Sequence, residues 1–200
     1  INIFSLDYPD AKFELTVKPE EKIIPAFLND SVRVIVMPRL LTKAEEKYYK
    51  HQIFSLNFDP AKQSLKEAVS TLCTDVITAV REQQVVLVIL TDRRIAQGLL
   101  PIPAAMAVGA VQQALVNAQL RCDSNIIIET AAARDSHHFA VLIGLGATAI
   151  YPFLAYETVE QLVEKGNIPL TARQAVLNYR KGINKGLYKI MSKMGISTVG

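Results

Sequence analysis

The chain has 200 residues, half of them hydrophobic and a fifth charged, a mix that suits a globular fold able to bury its own core. Its formal charge of +3, from 22 basic and 19 acidic residues, argues against a uniformly basic nucleic-acid binder. Only two cysteines, Cys73 and Cys122, exclude a disulfide framework or a cysteine-only metal site and point to reducing cytosol, while the absence of a signal-peptide pattern or an apolar run of ~18 residues gives no reason to expect a membrane partner.

The first part of the chain is irregular. Residues 13–17 alternate apolar and polar, as a half-buried strand does, and residues 32–36 form a second strand candidate ended by Pro38. Residues 43–50 suit a short charged helix, and residues 53–58 alternate again. From residue 60 the pattern becomes regular. Ser64 with Glu67 has capping-box spacing, and Leu65, Ala68, Val69, Leu72, Val76 and Val80 follow at helical spacing. Residues 85–90 are a continuous apolar run, expected to be a strand buried on both faces. Pro101 and Pro103 precede a helix of small residues over about 104–117, and residues 125–128 form the next buried strand. A helix over 137–145, closed by Gly144 and Gly146, leads to a short strand at 147–150 and a helix completed over 158–164. This alternation predicts an α/β fold: parallel strands with covering helices, as an open sheet or incomplete barrel, behind a less regular N-terminal region.

The last helix is expected over about 171–194. Val176, Tyr179, Ile183, Leu187, Ile190 and Met194 share one face, with Lys181, Lys185, Lys189 and Lys193 roughly opposite. Gly182 and Gly186 weaken it by about 1 kcal/mol each relative to alanine, so it depends on packing or on close approach by another element. The small net charge conceals an asymmetry here. The first 164 residues hold 15 basic and 19 acidic side chains, but from Lys165 onward there are seven basic residues and no acid. Such a stripe is either a solvated face or a surface for phosphates or for the acids of a partner.

In parallel sheets, function gathers at the C-terminal ends of strands. Those ends carry Thr91-Asp92-Arg93, Glu129-Thr130 and Tyr151-Pro152. Asp92-Arg93-Arg94 reads as an anion site, an inter-domain salt bridge, or a polar turn capped by Asp92. His137 and His138 point about 100° apart on a helix, too far for both to ligate one metal, so the alternatives are a general base or a buried histidine bonded to a nearby loop. Gly144-Leu145-Gly146 follows a helix instead of preceding one, and so reads as a helix end, not a phosphate loop. Cys73 and Cys122 read as small buried hydrophobes.

Several stretches resemble the central region of the glutamate synthase large subunit. They include Leu90-Thr91-Asp92-Arg93, Leu100-Pro101-Ile102-Pro103-Ala104 and Ile126-Ile127-Ile128-Glu129-Thr130. Arg134-Asp135-Ser136-His137-His138-Phe139 and Gly144-Leu145-Gly146-Ala147-Thr148 belong with them, and the closing Gly186-Leu187-Tyr188-Lys189-Ile190-Met191-Ser192-Lys193-Met194-Gly195 is the most specific. Together they cover about residues 53–199, in the manner of the bacterial NADPH-dependent form. The resemblance departs at Gln112 or Gln113, where many relatives have His, and at Tyr151, where they have Asn, so neither position is given chemistry.

The resemblance implies a parent enzyme that makes glutamate from glutamine and 2-oxoglutarate. An amidotransferase domain releases ammonia to a barrel holding FMN and an iron–sulfur cluster, and NADPH supplies electrons through a small subunit. It divides the chain into a poorly matched part at 1–52, an α/β core at 53–170, and a basic helix and linker toward the FMN barrel at 171–200. The chain then reads as a cytoplasmic piece of something longer, without catalytic, cofactor or metal residues of its own. Asp92, Arg93, Arg134, His137, His138, Lys181, Lys185, Lys189 and Lys193 are its candidate docking residues toward sister domains. The residues alone also leave open a free-standing small-molecule enzyme or a module for a phosphorylated ligand.

Overall fold

The computed structural model describes residues 50–197 and the backbone of Ile35–Val36. The strand expected at 13–17 and nearly all of the helix expected at 43–50 lie outside the described residues. In chain order the elements are β1 (Ile35–Val36), β2 (His51–Ser55), β3 (Asn57–Phe58), α1 (Leu65–Gln83), β4 (Leu87–Thr91) and β5 (Leu100–Pro101). They continue with α2 (Ala104–Asn117), a 3-10 turn (Arg121–Asp123), β6 (Asn125–Glu129), α3 (Ser136–Gly144), β7 (Ala149–Tyr151), α4 (Phe153–Glu164) and α5 (Ala172–Met194).

Local chemistry sets most of these boundaries. The Ser64 hydroxyl accepts from the Glu67 N–H at 3.3 Å, and the Glu67 carboxylate accepts from the Ser64 N–H at 2.7 Å. This reciprocal cap starts α1. Asp135 starts α3 by accepting from the N–H groups of His137 and His138, and the Thr171 hydroxyl starts α5. Leu145 caps α3, and Gly146 then turns the chain at φ +108° into the strand that follows. One helix start differs from expectation: α4 begins at Phe153, directly after Pro152, rather than at Thr158. Phe153 and Tyr156 are buried one turn apart, and that packing carries the helix back to the proline. A small antiparallel pair, β3 with β5, was not anticipated; two-residue strands carry no periodicity to read.

The main sheet has the order β1-β7-β6-β4-β2, every pair parallel. Its alternate residues Phe54, Val88, Leu90, Ile126, Ile128 and Ile150 pack with Leu72 and Val76 of α1, Val108 and Val111 of α2, Phe139 of α3 and Ile183 of α5. The other face carries Leu87, Ile89, Ile127 and Ala149, also fully buried. The central strands are thus apolar on both faces, as their unbroken hydrophobic runs require.

The last helix packs on α3 and α4. Ala175, Ile183 and Leu187 are buried, and Lys181, Lys185, Lys189 and Lys193 are exposed. Met194, expected on the apolar face, is 67% exposed at the last position of the helix. Arg180 and Asn184 are buried instead. Gly186 sits against α3: a Cβ there would lie 2.5 Å from the Ser136 Cβ and overlap the Ser136 hydroxyl. Close approach by another element is therefore the reason for this glycine. Gly182 has nothing within 4 Å of its Cβ position.

Candidate functional site

The parallel register lines up the C-terminal ends of four strands. Ser55 pairs with Thr91, Thr91 with Glu129, and Glu129 with Tyr151. Residues at one register level share a face, so these four form a polar row. The level two residues earlier is wholly apolar: Ile53, Ile89, Ile127 and Ala149.

Above the row, Arg93 closes the cluster. Its Nε donates to Glu129 at 2.7 Å and a terminal nitrogen donates to Glu157 of α4 at 2.8 Å. The Thr91 hydroxyl donates to the other Glu129 oxygen at 2.6 Å. The guanidinium lies 4.3 Å from the Phe153 ring centroid and 5.8 Å from that of Tyr151. Burial alone would favour the neutral guanidine, but the carboxylates of Glu129 and Glu157 outweigh it and hold Arg93 above its ordinary pKa.

Asp92 turns inward and is only 6% exposed. Its carboxylate accepts from the Thr130 hydroxyl at 2.5 Å and from the Ala131 N–H at 3.0 Å. Burial pushes this carboxyl up, the two hydrogen bonds oppose the shift, and the nearby Glu129 charge adds to it. Asp92 thus ties the β4 end to the turn after β6. It caps the β6 turn from inside and does not present its charge outward.

The remaining sequence candidates fall elsewhere. Arg134 and His137 are exposed and His138 partly so, all at the start of α3. His138 Nδ1 accepts from the Arg134 N–H at 3.3 Å, and Nε2 lies 3.8 Å from Asp135. Neither histidine is a buried one, because their ends of the helix face solvent. This turn is tied to α5: the Tyr179 hydroxyl donates to the Arg134 carbonyl at 3.0 Å, and burial together with the Asp135 charge pushes that phenol up to about 12. Tyr156 stacks edge-on to both Tyr151 and Tyr179, so aromatic rings link the strand-end cluster to α5. Cys73 is partly buried, but Cys122 is exposed, since it sits on the 3-10 turn outside the core.

Two groups escaped sequence reading. Arg121, half-hidden at the opposite end of the sheet, donates to the Gln112 side chain, to the Ser124 carbonyl at 2.7 Å and to the Gly146 carbonyl at 3.1 Å; burial lowers its pKa. Arg180, buried in α5, is likewise lowered by burial, with Tyr156 opposing. An arginine on a helix gives no periodic signal of its burial when its partners come from other elements.

Among the described residues no group of three or more His, Cys, Asp or Glu side chains converges to hold a metal ion, and no helix is long and apolar enough to cross a membrane. A groove of about 490 Å³ runs between β2 and α1, lined by Gln52, Asn57, Thr71, Asp75 and Thr78 among others. It contains no cation to receive a phosphate, and Asp75 would repel one, so its residues do not fit FMN.

Residues 24–200 match the family model for the glutamate synthase central domain. The chain belongs to that family. It is 43% identical over 137 residues to the NADPH glutamate synthase large chain of Bacillus subtilis, covering 68% of this chain and 9% of that protein. It is 41% identical over 168 residues to ferredoxin-dependent glutamate synthase 1 of Arabidopsis thaliana, covering 76% of this chain and 10% of that one. The NADPH large chain of Azospirillum brasilense is 38% identical over 144 residues, or 70% of this chain and 9% of that one. This central domain therefore spans about a tenth of the length of the curated relatives it matches. Among solved structures, a mutant flavocytochrome b2 with pyruvate bound aligns over 68% of this chain and 36% of its own, with a TM-score of 0.49 and 14% identity.

Proposed function

We propose that this central domain is the structural link between the glutamine amidotransferase and the FMN-containing barrel of an NADPH-dependent, cytoplasmic glutamate synthase large chain. It carries no reaction of its own. FMN and the iron–sulfur cluster belong to the neighbouring barrel, and the small subunit delivers electrons from NADPH. The observation that carries this reading is a contrast in charge. At the strand ends, where an enzyme of this class would keep free groups, Arg93 is spent on Glu129 and Glu157, and Asp92 on Thr130 and Ala131. On α5, Lys181, Lys185, Lys189 and Lys193 are exposed and form no ion pair among the described residues. Charges settled inside and unsettled outside suit a connector whose counter-charges lie on sister domains.

The competing readings fare less well on the same geometry. A free-standing enzyme would bring Asp92, Glu129 and His137 together. The first two are neighbours, but His137 is exposed at the start of α3. A phosphate module would gather its lysines around one point, whereas four lysines at four-residue spacing extend along about 18 Å of helix.

Docking through the lysine stripe is tested in the full-length large chain by changing Lys181, Lys185, Lys189 and Lys193 to glutamate. Glutamine-dependent glutamate formation should fall at least about tenfold, while activity with supplied ammonia is kept. Unchanged assembly and unchanged ammonia transfer would remove the docking role of the stripe.

A further inference from the structure

The strand order β1-β7-β6-β4-β2 becomes the chain order when read as a circle: β1, β2, β4, β6, β7 and back to β1. Among the described residues the circle is broken in one place, between β1 and β2. Consecutive parallel strands in chain order are the arrangement of a barrel, and the five among the described residues are too few to close one, since parallel barrels of this kind use about eight. The seam therefore has room for further strands.

The residues beside the seam bear the marks of an unfinished edge. The Lys50 carbonyl accepts from β4, and the Leu56 N–H donates to β4. Backbone groups on a strand alternate between its two sides, so the N–H and C=O of Ile53 and Ser55 face away from β4. Among the described residues no strand pairs with that side. The apolar level of the sheet continues across it: Ala149, Ile127 and Ile89 are buried to within 1%, yet Ile53 at the end of the same level is 54% exposed. Beside it lies the groove against α1. At its end the Asn57 side chain has both its carboxamide nitrogen and oxygen buried without a hydrogen-bond partner. A carboxamide presents an NH2 donor group and a carbonyl acceptor in one plane, the complement of a backbone peptide group, and leaving both unmade is costly.

We propose that the outer edge of β2 receives an extended segment from the remainder of the large chain. The segment runs parallel to β2, bonds the Ile53 and Ser55 backbone, buries Ile53 and pairs a peptide group with Asn57. Its side chains alternate. Apolar ones continue the level of Ile53, and polar or basic ones enter the groove toward Thr71, Asp75 and Thr78, which recur on one face of α1. A second copy of this chain fits poorly, because a twofold pairing of one edge with itself runs antiparallel, whereas every strand of this sheet is parallel. The inference rests on the reading that this domain works within a longer large chain.

Residue-resolved amide hydrogen exchange tests it, on the full-length large chain and on the 200-residue chain. In the full-length protein the Ile53 and Ser55 amides should exchange at least about 100-fold slower than in the 200-residue chain, with Ile89 as a protected reference. Protection already present in the 200-residue chain would overturn the proposal: if concentration-dependent it would assign the edge to a second copy, otherwise to the chain's own residues. If the shorter chain proves unfolded, the full-length protein decides alone. Ile53 and Ser55 exchanging as fast as loop amides there, while Ile89 stays protected, also overturns it. Charge reversal on α5 should leave this protection unchanged, so failure of the docking role and failure of the edge pairing are separate results.

Discussion

Two glycines four residues apart on α5 should respond to the same substitution with opposite signs. Gly182→Ala places a methyl group where nothing lies within 4 Å. Only the backbone term remains, and alanine is favoured over glycine in a helix by about 1 kcal/mol. Gly186→Ala gains the same backbone term, but its methyl would sit 2.5 Å from the Ser136 Cβ. That atom is fixed to the α3 backbone, so rotating the serine hydroxyl away does not relieve the contact. The helices must separate, and forced overpacking costs about 1–3 kcal/mol. The net expectation is a stabilisation approaching about 1 kcal/mol at 182 and a loss of up to about 2 kcal/mol at 186. For a domain of this size each kcal/mol moves the melting temperature by about 2–4 °C. Urea unfolding of both variants, at equal m-value, reads the difference. Ser136→Gly combined with Gly186→Ala should recover most of the loss, because it removes the clashing atoms. If Gly186→Ala is as stable as Gly182→Ala, the close crossing of α3 and α5 is wrong.

Three further outcomes follow from the same reasoning. Glu129→Ala should cost about 1–3 kcal/mol, since it leaves the buried Thr91 hydroxyl and the Arg93 Nε–H without their acceptor, whereas Glu157→Ala, which removes a half-exposed partner of the same arginine, should cost under about 1 kcal/mol; denaturant midpoints compare them. The raised carboxyl of Asp92 keeps its proton to higher pH in the folded chain than in the unfolded one, so its contribution to stability falls as pH rises through that interval. Asp92→Asn should abolish this component, and urea midpoints from about pH 4 to about pH 7 should shift progressively in favour of the variant. Ser64→Ala removes the reciprocal cap of α1 and should cost about 1 kcal/mol, seen as a lower melting temperature by circular dichroism.

Much of the fold is legible where a local rule decides it. The Ser64 cap, the apolar runs of β4 and β6, and the proline before α2 each announce an element within a few residues. The α5 lysines are on the exposed side because helical period alone separates them from Ile183 and Leu187. What stays hidden depends on register and on neighbours distant in sequence. Nothing near Glu129 says that Thr91 and Tyr151 stand beside it, so the polar row appears only once the strands are paired. Asp92 and Arg93 are adjacent and charged, yet one points into the domain and the other arches over an aromatic ring. Met194 fits the apolar period but, as the last residue of α5, stays exposed. The histidine pair fits a helix start, and the cap that holds it comes from Asp135.

Arg121 has a consequence for how the domain comes apart. One side chain holds the carbonyl before β6, the carbonyl before β7 and the end of Gln112 on α2. Gln112 and Ser124 belong to the crossover from β4 to β6 and Gly146 to the one from β6 to β7, so neither crossover can fray without breaking bonds that also secure the other. The entrances to β6 and β7 must then open together. Gradual opening is left to the rim, at β2 and at the far end of α5, and limited proteolysis should cut there long before it reaches the turns around Arg121.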